Sequence, residues 1–361
     1  MKNIIIIGSK GYKKTLGGHE TFITNLIDNY DDKNVRFYVP EITQDINASE
    51  YINNGVVCNP IYAKNYNRKD FIKKAIKYYQ KYIRIYNMNN VILYIIGFKP
   101  TKKYSSILKK MNAKIIINPG NIKLNKSNLK NIDHIVCDSK VTESNMKIYD
   151  KPITYIPYGA YQKDIKDIDK KTKKFMDENN IIPREYYLVV GRFTKENNYE
   201  LIIKEYMKTK TTRNLVIVSD IDNNKNYYQS LKKKTKFPSD ERIKFVGPIY
   251  DDEILRRIRK NARGYIHGHT KGGTNPSLLE ALSISDLNIV YDNPSNKEVS
   301  KDCALYFNKE EDSLKEQIEK CEKFKMKEIN EYGEKAKMRI KENYTWESVI
   351  KKYKKMFNKI T

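Results

Sequence analysis

Short runs of predominantly apolar, mostly β-branched residues recur along this chain, at 4–7, 35–39, 91–96, 114–117, 134–137 and 153–156 in the first half. In the second half they stand at 186–190, 214–218, 243–246, 264–267 and 287–291. A strand that is apolar at every position is buried on both faces, which is the pattern of a parallel sheet. The intervals carry the helical period of about 3.6 residues rather than alternation. Strand, helix, strand in this order specifies parallel sheets with helices packed on both sides. A length of 361 residues is more than one core of ordinary size needs. The expected fold is therefore α/β, with two Rossmann-like doubly wound domains at 1–160 and 161–343. The charged stretch 162–180 links them or forms a helix at the edge of the second. The last segment, 344–361, holds the single tryptophan and apolar residues at helical spacing, and is expected to close the domain junction.

Doubly wound sheets bind ligands outside the carboxyl ends of their strands, so the residues just after each run matter most. The strand 264–267 is followed by a Gly-rich polar loop and then a helix carrying Glu280. Free N–H groups at a helix start present partial positive charge, and glycines let a diphosphate approach the backbone. Glu280, one to two turns in, is placed to accept hydrogen bonds from sugar hydroxyls. An ordinary strand-loop-helix junction with a capping glycine is the alternative. After the run 186–190 comes Gly191-Arg192-Phe193-Thr-Lys195. The forked donors of Arg192 suit a diphosphate, with Lys195 as a second cation; pairing of Arg192 with Glu196 is the alternative.

The first strand ends at Gly8-Ser-Lys-Gly11, and Gly17 and Gly18 stand where the first helix begins, again with bare amides. A dinucleotide fingerprint requires Gly-x-Gly-x-x-Gly at the strand end. The middle glycine is missing, and Glu41 is a poor match for the ribose-binding acid of that motif. Asp220 and Asp222 resemble a metal-holding Asp-x-Asp, although acids capping a loop have the same pattern. His134, His267 and His269 are candidate bases without metal-ligand spacing.

The formal net charge is +25, with lysine spread along the whole length among Asn, Ile and Tyr. AT-rich coding produces the same mixture, and a positive field favours any anionic partner, whether nucleotide-sugar, acidic lipid or nucleic acid. Four cysteines, Cys58, Cys137, Cys303 and Cys321, are far apart and form no CxxC pair. That argues against a disulfide framework or zinc site and for a reducing compartment. The N-terminal apolar run is too short for a signal peptide, and nothing approaches the roughly 20 apolar residues of a membrane span. A cytoplasmic protein is expected, with peripheral attachment left open. The basic, aromatic helix 68–83 fits either docking on an anionic membrane surface or an ordinary solvated face.

Taken together, Gly17-Gly-x-Glu-Thr-Phe22, Tyr155-Ile-Pro-Tyr-Gly-Ala160, Tyr187-Leu-Val-Val-Gly-Arg-Phe193 and the segment from His267 to Ala281 resemble the retaining glycosyltransferases of the GT-B fold, family 4. The likeness covers nearly the full length and is nearest to bacterial capsule and cell-wall rhamnosyltransferases. It implies two facing domains with a donor cleft between them. It implies transfer of a hexosyl or deoxyhexosyl group from a nucleoside-diphosphate sugar to a glycan or lipid-linked glycan acceptor, with UDP-hexose or UDP-HexNAc as alternative donors. Arg192 and the amides of Gly273, Thr274 and Asn275 would bind the diphosphate, Glu280 a ribose hydroxyl, and Gly18 the phosphates from the N-terminal side. His19, Glu20, Asn118 and His269 are candidate acceptor or sugar contacts. No divalent metal or other cofactor is expected in such enzymes, because fixed cations and helix N-termini neutralise the diphosphate. Three positions depart from the pattern. Gly272 stands where the broad family has a glutamate, Asn197 where it has a lysine, and 118–125 lacks the acidic, tryptophan-containing segment. Charge neutralisation then falls to Arg192 with Lys195 or Lys271. A non-catalytic basic nucleic-acid-binding protein is the remote alternative, which leaves the glycine loops and Arg192 unexplained.

Overall fold

The computed structural model describes residues 1–14, 18–120, 122–162, 165 and 167–360, the Lys102 side chain excepted. They form two compact units, Met1–Gly159 with Trp346–Thr361, and Ala160–Thr345.

The first unit contains β1 (Lys2–Ile7), α1 (Gly18–Asp28), β2 (Val35–Thr43), β3 (Tyr51–Asn53), β4 (Val56–Tyr62), α2 (Arg68–Ile85), β5 (Val91–Ile96), α3 (Lys102–Lys109), β6 (Lys114–Asn118), β7 (His134–Cys137), α4 (Lys140–Met146) and β8 (Ile153–Tyr155). Its sheet runs β3-β4-β2-β1-β5-β6-β7-β8, parallel except for β3. All six residues of β5 are buried, as a central strand of a two-sided sheet requires. Successive crossovers change direction at β1, so β1 and β5 flank the switch point.

The second unit contains α5 (Lys170–Glu178), β9 (Tyr186–Val190), α6 (Tyr199–Met207), β10 (Asn214–Val218), α7 (Lys225–Thr235), β11 (Ile243–Phe245), α8 (Asp252–Lys260), β12 (Gly264–His267), α9 (Pro276–Ile284), β13 (Asn288–Tyr291), α10 (Pro294–Ser300), β14 (Leu305–Phe307), α11 (Ser313–Lys323) and α12 (Met326–Asn343). The all-parallel order β11-β10-β9-β12-β13-β14 places β9 and β12 side by side at the switch point. The loops after β9 and β12, which carry Arg192 and residues 268–275, therefore leave from adjacent strand ends. The charged stretch before β9 contains α5.

Strands β3, β4 and β14 were not apparent from the apolar runs. In β4 the run is interrupted by Asn59 and Pro60, both weak strand formers. The buried Asn59 amide is nevertheless satisfied: Tyr79 donates to its Oδ1 at 2.7 Å, and its Nδ2 donates to Tyr78 at 3.3 Å. An amide satisfied this way is no obstacle to a buried strand.

After Thr345 the chain returns to the first unit as α13 (Trp346–Ile360). Its Trp346 ring lies against Gly159, where an added Cβ would sit 2.6 Å from the indole, and near Phe22, with ring centroids 6.1 Å apart. Tyr353 and Tyr94 share a buried hydroxyl contact of 3.0 Å. Among the described residues, no helix is long and apolar enough to cross a membrane. Because Trp346 is 5% exposed, Trp346→Ala should destabilise the first unit by about 3–5 kcal/mol, the range for removing a large buried aromatic. Urea unfolding followed by circular dichroism measures this loss.

Candidate functional site

The backbone at the end of β9 is held from several directions. Tyr199 and Ser219 hydroxyls donate to the Gly191 carbonyl at 2.9 and 2.7 Å, and Asn197 Nδ2 donates to the Arg192 carbonyl at 2.7 Å. A residue launched from so fixed a backbone starts from a defined point. The Arg192 side chain is exposed and, among the described residues, makes no ion pair. Glu196 pairs instead with Lys271, at 3.6 Å. Asn197, the position at which the family pattern has a lysine, thus serves as a backbone clamp. Lys195 opens a short 3₁₀ turn and lines a cavity of about 470 Å³ together with Lys204, Tyr227, Ser230 and Lys234, between α6 and α7.

The loop after β12 is pressed onto that turn. A Cβ on Gly268 would lie 2.4 Å from the Asn197 carbonyl oxygen, so the approach demands glycine. The Thr270 N–H donates to the Glu196 carbonyl at 2.9 Å, and His269 Nδ1 pairs with Asn197 Oδ1 at 2.9 Å. Asn293 and Asn296 both donate to the His269 carbonyl at 3.0 Å. Gly272 adopts φ 117°, a conformation in which glutamate would be strained. Asn275 caps α9 by accepting from the Ser277 N–H at 3.0 Å, and Pro276 opens the helix. Thr274 is buried and Gly273 half-buried. Among the described residues, the N–H groups of Gly272, Gly273 and Asn275 have no hydrogen-bond partner. Unpaired amides at the positive end of a helix form an anion-binding surface.

Beneath the loop, the Tyr265 hydroxyl contacts Ser277 Oγ at 2.7 Å, and both reach the Val190 carbonyl at 3.2 Å. Glu280 is the fifth residue of α9. Its Oε2 forms an ion pair with Arg259 of α8 at 2.8 Å. Arg259 was not singled out from the sequence, because arginines on a helix, such as Arg256, Arg257 and Arg259 of α8, are ordinarily solvated. All three are in fact buried.

His267 is buried against Tyr265, and among the described residues its Nε2 has no partner. Burial, with the neighbouring His269, pushes its pKa down to about 3, which makes it a poor base near neutral pH. Burial and then the Arg192 charge lower that of His269, so Arg192 lies close to the loop electrostatically.

On the first unit, Gly18 begins α1, with His19 and Glu20 half-buried after it. Gly17 lies outside the described residues. Glu20 Oε1 accepts from the Lys10 N–H at 3.1 Å, tying α1 to the loop after β1. Asn118 ends β6; its Oδ1 accepts from the Gly120 N–H at 2.9 Å, while its buried Nδ2 has no partner among the described residues. Arg68 donates to the carbonyls of Gly8 and Ile96 at 3.1 and 3.0 Å, bridging β1 and β5 at the switch point. The sequence marked Arg68 only as a helix start. Glu41 is committed to Lys14 at 2.9 Å and Tyr51 at 2.8 Å. Asp220 accepts from the N–H groups of Asp222 and Asn223, which is loop capping.

These two doubly wound units, the second with an amide-lined loop at its switch point, have the two-domain GT-B fold. Over 99% of this chain and 98% of the other, the fold matches a glycosyltransferase of Rickettsia africae, with a TM-score of 0.78 and 14% identity. It also matches sucrose-phosphate synthase of Thermosynechococcus elongatus over 99% of both chains, with a TM-score of 0.78 and 13% identity. A trehalose-6-phosphate structure from E. coli, bound with UDP-2-fluoro glucose, matches over 100% of both chains at a TM-score of 0.74 and 10% identity. Residues 1–164 match the model of a domain of unknown function, DUF1972. An uncharacterized glycosyltransferase of Methanocaldococcus jannaschii is 30% identical over 242 residues, which span 64% of this chain and 59% of that relative. Residues 170–339 match the family model of the glycosyl transferases group 1.

The unfolded value of a histidine is near 6.5, and native His267 stays neutral down to about 3. Below pH 6.5 the unfolded chain takes up a proton that the folded chain refuses, so this contribution to stability is lost as pH falls. His267→Gln should flatten the decline between pH 6 and pH 4 by up to about 1.4 kcal/mol per pH unit. Urea unfolding of both proteins across that range measures the difference.

Proposed function

We propose that this protein is a retaining glycosyltransferase that moves a hexosyl or deoxyhexosyl group from a nucleoside-diphosphate sugar to a hydroxyl of a glycan or lipid-linked glycan. The observation that carries the reading is the set of unpaired amides at Gly272, Gly273 and Asn275, at the start of α9, on the strand end adjacent to the unpaired Arg192. As the glycosidic bond breaks, charge builds on the departing diphosphate. Arg192, Lys271 and the amides stabilise that charge without reorganising, which is the largest single contribution available to such a site. The acceptor hydroxyl attacks the oxocarbenium-like carbon from the face the diphosphate leaves, and its proton passes to the leaving phosphate. Glu280 accepts from a ribose hydroxyl. Fixed cations and helix dipole supply the positive charge that a divalent metal supplies in other transferases. Lys195 is a reserve cation at the edge of this site. His19, Glu20, Asn118 and His269 are the acceptor or sugar contacts we favour, and Gly18 is assigned to the donor phosphates. A rhamnosyl donor and a role in surface polysaccharide synthesis are the specific form we favour, with UDP-hexose or UDP-HexNAc as the alternative donors.

Arg192→Ala should lower kcat/KM about 10²- to 10³-fold with unchanged circular dichroism, the scale of losing one preorganised donor. Wild-type turnover in a folded variant would refute the assignment. A thermal-shift panel of UDP, dTDP and GDP, followed by their sugars, identifies the donor; a shift with DNA alone favours the nucleic-acid alternative.

A lipid-linked acceptor brings the protein to a membrane face. The outer side of α2 exposes Lys69, Lys74, Lys77, Lys81 and Arg84, and ends in exposed Ile85 and Tyr86. Cations around an apolar tip favour anionic headgroups. Liposomes containing anionic lipid should float the protein and neutral liposomes should not, and Lys74, Lys77 and Lys81 changed together to Glu should abolish flotation.

A further inference from the structure

Arg259 is the most deeply buried charge near the donor loop. It is 2% exposed, and its partner Glu280 is the only acid paired with it among the described residues. Its Nη2 forms an ion pair with Glu280 Oε2 at 2.8 Å, while its Nε has no partner among the described residues. A guanidinium so enclosed is stable only with a compensating carboxylate in defined geometry. The two ends of the pair differ in exposure: the Arg259 side chain is 3% exposed and that of Glu280 is 32% exposed. One carboxylate oxygen is therefore held from inside, and among the described residues the other, Oε1, has no partner. The Arg259 carbonyl accepts from Ser285 Oγ at 3.2 Å, just beyond the end of α9, which ties the backbone of α8 to the same helix.

We infer that Arg259 is a positioning residue for donor recognition. It holds Glu280 in one orientation, so that Oε1 meets a ribose hydroxyl of the nucleoside diphosphate. This rests on the donor-site reading above and adds to it the device that selects ribose. A carboxylate left to rotate freely would spend much of its time away from the hydroxyl, and the preference for ribose would fade with it. Diphosphate binding, supplied by Arg192 and the loop amides, does not pass through this pair.

The experiment compares full-length wild type with Arg259→Met, Arg259→Lys and Glu280→Gln. Calorimetric titration is run with the preferred nucleoside diphosphate, its 2′-deoxy or 3′-deoxy analogue, and inorganic diphosphate. Wild type should bind the hydroxylated nucleotide about 10-fold or more tightly than the analogue lacking the contacted hydroxyl, as expected for a hydrogen bond to a charged group. In Arg259→Met and Glu280→Gln that ratio should fall close to one, with inorganic diphosphate affinity unchanged. Arg259→Lys keeps the charge without the planar fork, and should retain part of the ratio even if the Met variant folds poorly. A merely structural Arg259 would weaken all three ligands together or none. Wild-type discrimination in either folded Arg259 variant overturns the inference alone. Failure of wild type to bind any nucleoside diphosphate overturns the donor-site reading, and the inference with it.

Discussion

The carbonyl groups at the end of β9 are the point on which the second unit's site depends. Val190 accepts from Tyr265 and Ser277, and Gly191 accepts from Tyr199 and Ser219. Four side chains from α6, the end of β10, β12 and α9 thus converge on two peptide units. Each bond is worth about 1 kcal/mol on its own. Buried and sharing acceptors, they fix where Arg192 leaves the sheet and where α9 begins. The loop 268–275 spans these two fixed ends, and its contacts with Glu196 and Asn197 leave it little freedom. A preorganised set of amides follows from that constraint rather than from the loop's own rigidity.

Charge is handled differently inside and outside the fold. A minority of the lysines pair with acidic neighbours, such as Lys73 with Asp70 and Lys173 with Asp177 on helix faces, where an ion pair contributes little. The buried charges are few and better coordinated. Burial pushes the Asp286 carboxyl upward, but Lys260, Arg184 and Lys337 outweigh it and hold it below the usual range. That cluster joins α8 and α12 to the start of β13. Arg259 and Glu280 form a second such centre, one helical turn below the donor loop. A strongly basic chain can therefore bury arginine at the site while its surface lysines remain free to meet anionic partners.

Much of the architecture was legible in the residues. The predominantly apolar runs at 91–96, 186–190 and 264–267 became central strands, because only a strand buried on both faces tolerates apolar residues throughout. The glycine-rich loop was legible too, since Gly268 and Gly272 occupy positions that a side chain would obstruct or strain. Strand β4 was hidden because Asn59 and Pro60 break its run, and the tyrosines that satisfy Asn59 come from α2. Arg68 and Arg259 were hidden for the opposite reason. Each looked like a solvated helix residue, and only the packing of neighbouring strands and helices shows that one caps two strand ends and the other lies beneath Glu280.

By itself, then, the sequence determined the local periods, the alternation of strand and helix, and the glycines that let backbone approach backbone. These are properties of neighbouring residues, set by sterics and by which faces must leave water. The tertiary structure decided which strand ends lie side by side, which cations have a carboxylate and which do not, and that the last helix returns to the first unit. Those outcomes depend on residues far apart in the chain, such as Arg259 with Glu280 or Gly159 with Trp346. Nothing in the residues between them encodes the meeting, which exists only once the sheet order is set.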